Sequence, residues 1–315
     1  MKNIISLAVA LTPFISIANA QEMVSLYGRV DSTIAKPIGA DSISMQNGTG
    51  SRLGFRGVED LGNGLSAFFV LEHRFNADTG AQTDSLRFFR QSYVGIESKE
   101  WGQLLLGRDY TAAYWETQVA ADYFGNSSVA NFTNIVTGGI GQVREDNQIK
   151  YSKRLGPVAT VVQLSLDKNQ GAGSLSAYPH RPKSLAITYN EGPVRASFGY
   201  ENPGNERDVW NAATLSYDFK KFALHGLVGA GKTKEGFKRK SFLLSSSIRL
   251  APHGQLLFNY GRLKQNANTG ALSSRFGLGY YHSLSKRTTL YVDFAHDDKV
   301  AREKWGYDIG LRHSF

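Results

Sequence analysis

The sequence predicts an all-β fold, a sixteen-stranded antiparallel barrel that crosses a membrane with its strands. Three observations predict it. First, the chain ends Trp305-Gly-Tyr-Asp-Ile-Gly-Leu-Arg-His-Ser-Phe315, with Trp305, Tyr307, Ile309, Leu311 and Phe315 on odd positions and Gly306, Asp308, Gly310, Arg312 and Ser314 on even ones. A period of two gives a strand with one apolar and one polar face, and a tilted strand needs ~9–11 residues to cross a bilayer. Second, the same one-faced alternation recurs along the chain between connections that alternate short and long. Third, beyond the first twenty residues no apolar run is long enough for a membrane helix. The mildly negative mean hydropathy of −0.30 does not oppose a barrel, because only alternate residues of a water-filled barrel face lipid.

The elements follow in order. Lys2, the apolar run Ile4–Ile17 and the small-residue site Ala18-Asn-Ala20 read as a secretory signal over residues 1–20, so the mature barrel spans 21–315. Removing Lys2 takes the formal net charge from +9 to +8. Strands are predicted at Leu26–Asp31, Arg52–Arg56, Leu65–Arg74, Phe88–Glu97, Gln103–Tyr110, Asn147–Ser152, Val158–Asp167 and Ser184–Asn190. They continue at Val194–Glu201, Val209–Phe219, Phe222–Lys232, Ser241–Leu250, Gln255–Lys264, Ser274–Ser283, Thr288–Asp297 and Trp305–Phe315. An even number suits a closed bacterial barrel with both termini on one side. Short turns such as Asp60–Gly64, Gly192-Pro193 and Ala251–Gly254 carry Gly, Pro and Asn chemistry and belong on the periplasmic side. Longer polar connections, such as Lys168–Pro182 and Asn202–Asp208, belong outside. Ala112–Phe132 has no strand pattern, and Arg90 shares parity with apolar Val94 and Ile96.

Other classes fit less well. A propeller or sandwich buries strands on both faces or repeats by blade, and no repeat period is present. With no cysteine there is neither a disulfide scaffold nor a Cys-ligated metal. Seven histidines lie scattered, none at metal-ligand spacing, and no G-x-S-x-G or H-E-x-x-H occurs. No enzyme, metal site or cofactor is expected. The lysines and arginines are dispersed rather than gathered in a stripe, which argues against a nucleic-acid partner.

The stretches Val24-Ser-Leu-Tyr-Gly-Arg-Val-Asp31, Ser51-Arg-Leu-Gly-Phe-Arg-Gly-Val-Glu-Asp-Leu-Gly-Asn-Gly-Leu65, Arg90-Gln-Ser-Tyr-Val-Gly95 and Leu106-Gly-Arg-Asp109 resemble the general porins of β-proteobacteria, including the neisserial type. The ending Gly306–Phe315 is similar to that family's terminus. The resemblance spans the mature chain. It implies a homotrimer of sixteen-stranded barrels in the bacterial outer membrane, among lipid and lipopolysaccharide. Each barrel would be a passive pore for small anionic or neutral solutes, narrowed by an inward-folded third loop, here Thr111–Gln142. It also implies that Phe315 belongs to a signal read by the barrel-assembly machinery. A substrate-specific outer-membrane channel, with Tyr27, Tyr114 and Trp115 as an aromatic slide, and a barrel adhesin are the alternatives.

Selectivity in such a pore comes from charges lining its narrowest section. Arg52 and Arg56 sit opposite Leu53 and Phe55 in parity, so both should face the lumen. Arg90 aligns with the basic residue of the family motif. Arg144 and Arg29 complete a candidate basic wall. On the acidic side, Glu72 shares the lumen face of its strand, and Asp109, Glu116 and Asp122 stand at or in the loop. These last three also suit a second part, as hydrogen-bond partners that tether the loop.

Overall fold

The computed structural model describes residues 23–125, 128–166, 181–205, 207–250, 252–266 and 271–315. The expected signal at 1–20 and most of the Lys168–Pro182 loop lie outside the described residues. The strands are β1 (Met23–Lys36), β2 (Ser44–Asn47), β3 (Ser51–Gly62), β4 (Leu65–Phe75), β5 (Phe89–Ser98), β6 (Gly102–Tyr110), β7 (Arg144–Leu155), β8 (Val158–Ser165) and β9 (Lys183–Glu191). They continue with β10 (Val194–Asn202), β11 (Val209–Asp218), β12 (Phe222–Lys232), β13 (Lys238–Leu250), β14 (Gly254–Gln265), β15 (Ala271–Ser283), β16 (Thr288–Asp297) and β17 (Trp305–Ser314).

All are antiparallel and joined in one sheet. The short β2 and β3 share one place in the wall: β2 pairs with the upper part of β1 through Ser32–Ala35 and β3 with its lower part through Met23–Arg29. The barrel therefore has sixteen staves, as expected, with the second interrupted around Gly48–Gly50. It closes where β1 pairs β17 over Arg29–Lys36 and Tyr307–Ser314. Gly28 and Phe315 exchange both backbone hydrogen bonds at 3.0 and 3.1 Å. Joining the first strand to the last removes the two long edges that an open sheet would expose to another chain.

The alternation places the faces as the sequence predicts. Ile309 is 60% and Leu311 49% exposed on the outside, while Asp308 on the same strand is 2% exposed inside. An apolar exterior and a polar interior invert the arrangement of a soluble sandwich, and the strand ladders satisfy backbone groups within the wall, as hydrocarbon requires. Phe242 and Tyr260, Phe276 and Trp305, and Phe219 and Phe222 lie within 4.5–5.7 Å of each other on the outer surface, as interfacial aromatics do. No helix among the described residues is long and apolar enough to cross a membrane, which says nothing against strands.

Within the long third connection, residues 111–125 and 128–143 do not leave the barrel. They contain a helical stretch over Tyr114–Gln118 and Val119–Ala121 and a short helix, α1 (Thr133–Val136), and they pack inside the barrel. Phe124, Phe132, Ile135 and Val136 of the loop form one apolar cluster with Trp210, Leu227, Leu243 and Leu257 of the wall. Where the loop packs, the inner face of the wall carries apolar residues among the polar ones.

Candidate functional site: a basic wall facing the third loop

The loop is fastened along the inner side of β8 to β17. At its start, the Ala112 and Ala113 amides donate to Gln163 Oε1 and Ser184 Oγ at 2.9 and 2.8 Å. Glu201 on β10, 1% exposed, joins both ends of the loop: the Gln142 amide donates to it at 2.5 Å, and Thr111 Oγ1 and Gln118 Nε2 at 3.4 and 3.5 Å. Further along, Trp210 Nε1 donates to the Val136 carbonyl at 3.0 Å, Arg239 to the Gly138 and Gly139 carbonyls at 3.0 Å, and the Val129 amide to Asp308 at 3.2 Å. His225 contacts the Ala120 carbonyl through Nδ1 at 2.9 Å and Tyr123 Oη through Nε2 at 2.7 Å. Because the Ala120 carbonyl can only accept, Nδ1 carries the proton, and Nε2 of the neutral ring accepts from the Tyr123 hydroxyl, which burial, and more weakly Asp218, pushes up to about 12. The wall makes room for this contact. A Cβ at Gly199 would stand 3.0 Å from Ala113 Cβ, and one at Gly277 2.9 Å from Ala130 Cβ.

With β8 to β17 covered, the open lumen is bounded by β1 and β3 to β7, where the arginines gather. Register builds the group. Arg29 pairs directly with Arg52, and Arg52 with Arg74, so three guanidinium groups stand side by side on adjacent strands. Like charges directly opposite one another destabilise a sheet. Glu72, 2% exposed and one position below the row, offsets this: it accepts Arg74 Nε at 2.9 Å and lies 3.5 Å from Arg52 Nη1. Tyr27 Oη donates to the same carboxylate at 3.4 Å. Tyr110 extends the group. Its hydroxyl accepts Arg74 Nη2 at 2.7 Å and also Arg144 Nη2, and the Arg144 guanidinium lies 3.9 Å from the ring centroid, a cation–π distance. Arg29 donates to Thr49 Oγ1 at 2.8 Å. Four arginines stand against two carboxylates, Glu72 and the buried Asp31, which shares Thr49 Oγ1 with Arg29, so the wall keeps a positive excess. Arg29 Nε and Arg144 Nε have no hydrogen-bond partner among the described residues.

The remaining predicted residues lie elsewhere. Arg56 sits nearer the short turns, exposed, with its Nε 3.2 Å from Ser25 Oγ and its guanidinium 5.4 Å from the Tyr27 ring centroid. Arg90 is the extra residue of a β-bulge, because Glu72 pairs Gln91 while His73 pairs Phe89. The bulge explains its conflicting parity, and its side chain is ion-paired with Asp84 in the connection before β5. Asp109 is buried, ion-paired with Lys150 and accepting Gln91 Nε2 at 2.6 Å. Glu116 pairs with Arg195 at 3.4 Å, and Asp122, 4% exposed, accepts Asn259 Nδ2 at 2.6 Å and the Phe124 amide at 2.9 Å. Phe315 lies over Gly28, where any Cβ would collide with its ring. Among the aromatic-slide residues, Trp115 packs on Tyr110 at 4.6 Å beside Arg144, whereas Tyr114 is buried at 1% exposure. Sequence reasoning missed Arg74 and Tyr110. Arg74 shares parity with Glu72 and was within reach. Tyr110 ends its strand at the root of the loop, and only the folded loop brings Arg144 to it.

A profile of the family described as Gram-negative porin matches residues 6–301. Outer membrane porin protein 32 of Delftia acidovorans is 28% identical, and the match covers 100% of this chain and 99% of that protein. Major outer membrane protein P.IB of Neisseria meningitidis serogroup B is 24% identical over 98% of this chain and 85% of its own. Among solved structures, an anion-selective porin from Comamonas acidovorans has a TM-score of 0.78 at 28% identity, covering 94% of this chain and 100% of that one. The trimer form of OmpT from Vibrio cholerae has a TM-score of 0.73 at 12% identity, covering 93% and 99%, a likeness of fold alone.

Proposed function

Because the chain belongs to the Gram-negative porin family, a family of outer-membrane pores rather than enzymes, we propose that it is an anion-preferring diffusion channel whose selectivity is set by Arg29, Arg52, Arg74 and Arg144. The observation that carries this reading is the cross-strand row Arg29–Arg52–Arg74 on the one stretch of wall the third loop leaves uncovered. Two unit charges ~4 Å apart interact by roughly 4 kcal/mol at an effective dielectric of ~20. A third of that equals the ~1.4 kcal/mol that gives a tenfold preference. The likeness to the anion-selective porin from Comamonas acidovorans supports the same reading.

In this proposal Glu116 and Asp122 hold the loop rather than form a facing acidic wall, which their pairing with Arg195 and Asn259 supports. The channel works as a homotrimer in outer-membrane lipid and lipopolysaccharide, enters the membrane through the barrel-assembly machinery by a signal that includes Phe315, and begins at Gln21 after signal cleavage. Its solutes are small anions and neutral molecules. A substrate-specific channel is the second reading, favoured by Trp115 and Tyr110 stacked beside Arg144. It predicts saturable block by one aromatic anion. The test is the reversal potential of the purified protein in a planar bilayer under a potassium chloride gradient. A potential on the chloride side is expected, weaker at high salt because the Debye length is only about 8 Å at physiological ionic strength. A potential on the potassium side refutes the proposal.

A further inference from the structure

The loop-side rim of β12, β13 and β14 carries a second basic group, on the outer face rather than in the lumen. Lys232 pairs directly with Lys238 across β12 and β13, and Lys240 with Lys264 across β13 and β14. Arg262 pairs with Phe242 one step closer to the membrane. The four lysines are exposed. Their parity is that of Val228, Phe242, Leu244 and Tyr260, all outward-facing. Down β13 the outer face therefore runs Lys238, Lys240, Phe242, Leu244, and down β14 it runs Lys264, Arg262, Tyr260, Phe258. That is a step from charge to aromatic to aliphatic, the profile of a membrane interface.

Two features separate this patch from ordinary rim lysines. First, β12, β13 and β14 contain no aspartate or glutamate, and none of these five cations has an ion-pair partner among the described residues. Among the described residues the acids near that rim are otherwise engaged: Glu235 lies beside Lys234, and Asp208 is buried on Asn205 and the Lys234 amide. Several other cations at this end of the barrel are ion-paired, Arg87 and Arg108 with Asp146, Arg90 with Asp84, and Lys36 with Glu303, while Lys183, Arg302 and Lys304 stand singly rather than in facing pairs. Second, two lysine pairs stand directly opposite each other, the arrangement that destabilises a sheet unless an anion lies between them. Strand neighbours are ~4.8 Å apart, so the five cations converge on a spot about the size of one phosphorylated sugar headgroup.

We propose that Lys232, Lys238, Lys240, Lys264 and Arg262 bind the phosphate groups of lipopolysaccharide, the phosphorylated glycolipid of the outer leaflet, with its acyl chains lying along Phe242, Tyr260 and Phe258. The proposal rests on the outer-membrane placement with the long loops outward, and is independent of the pore's selectivity. The test titrates the purified, folded protein in detergent with lipopolysaccharide, with the same lipopolysaccharide after chemical removal of its phosphates, and with inorganic phosphate. The variant K232Q/K238Q/K240Q/K264Q should bind intact lipopolysaccharide on the order of tenfold or more weakly than wild type, since each basic group near an anionic lipid surface contributes measurably. Replacing Lys99, Lys153, Lys220 and Lys221 at the opposite rim should leave binding unchanged. Wild-type protein should lose the same affinity for dephosphorylated lipopolysaccharide, an arm that stands even if the quadruple variant does not fold. Equal affinity of wild type for both glycolipids, or an unchanged quadruple variant, overturns the proposal. Competition by inorganic phosphate at equal concentration assigns the patch to free anions and also overturns it. An unchanged reversal potential in the quadruple variant keeps this result separate from the basic wall inside.

Discussion

Glu72 is the residue on which the charge of the lumen turns. It contacts Arg52, Arg74 and Tyr27, and each contact takes part of the positive field away from a passing anion. Glu72→Gln keeps the shape and removes the charge. The expected result is a rise in the chloride-to-potassium permeability ratio of a few-fold, within the tenfold that ~1.4 kcal/mol gives, read from reversal potentials. A lower ratio would mean that Glu72 holds the arginines in place more than it cancels them. Much of this residue-level site was legible. Parity alone puts Arg52, Arg56 and Glu72 inside, and Arg74 obeys the same parity. What parity does not contain is register. The row Arg29–Arg52–Arg74 exists because three strands align at those positions, and Arg90 is displaced because a bulge inserts one residue. A bulge leaves no mark in a two-residue period.

At the scale of elements, the third loop is held by groups far away in sequence. Glu201 accepts hydrogen bonds from both ends of it, and Asn259 donates to Asp122 across a separation of 137 residues. Replacing Glu201 by Leu strands the Gln142 amide and the Gln118 amide group in the interior, and each buried polar group left unpaired costs about 1–3 kcal/mol. Glu201→Leu should therefore lower the thermal midpoint and produce frequent partial closures in single-channel records, while Glu201→Gln, which still accepts, should do so much less. Equal behaviour of the two variants would show that the loop is held by its apolar cluster alone. The strands were legible because one face meets lipid and the other water, which writes alternation into the sequence. The loop was not. Its Phe124, Phe132, Ile135 and Val136 pack on the wall at spacings that follow no helical or strand period, so length was its only signal. The interruption between β2 and β3 was equally invisible, because both halves pair with the same strand.

For the whole molecule, closure decides whether the barrel exists. The seam joins the first strand to the last, and Phe315 lies over Gly28 there while exchanging backbone hydrogen bonds with it. Deleting Phe315 should reduce the amount of protein in the outer membrane and leave export to the periplasm intact. Gly28→Val should have a similar effect, since its side chain occupies the place of the Phe315 ring. Fractionated cells with normal outer-membrane levels of both variants would contradict a part for this contact in assembly.

The central claim, that the uncovered basic wall sets ion preference, is tested most directly by the reversal potential of Arg29→Ser/Arg52→Ser/Arg74→Ser measured at low salt beside wild type. With Arg144 the one member of the basic group left beside Glu72, the variant should lose most of its chloride preference, shifting the reversal potential toward the potassium side, and the difference from wild type should shrink as salt rises. A triple variant that folds and keeps the wild-type reversal potential at low salt would contradict the account.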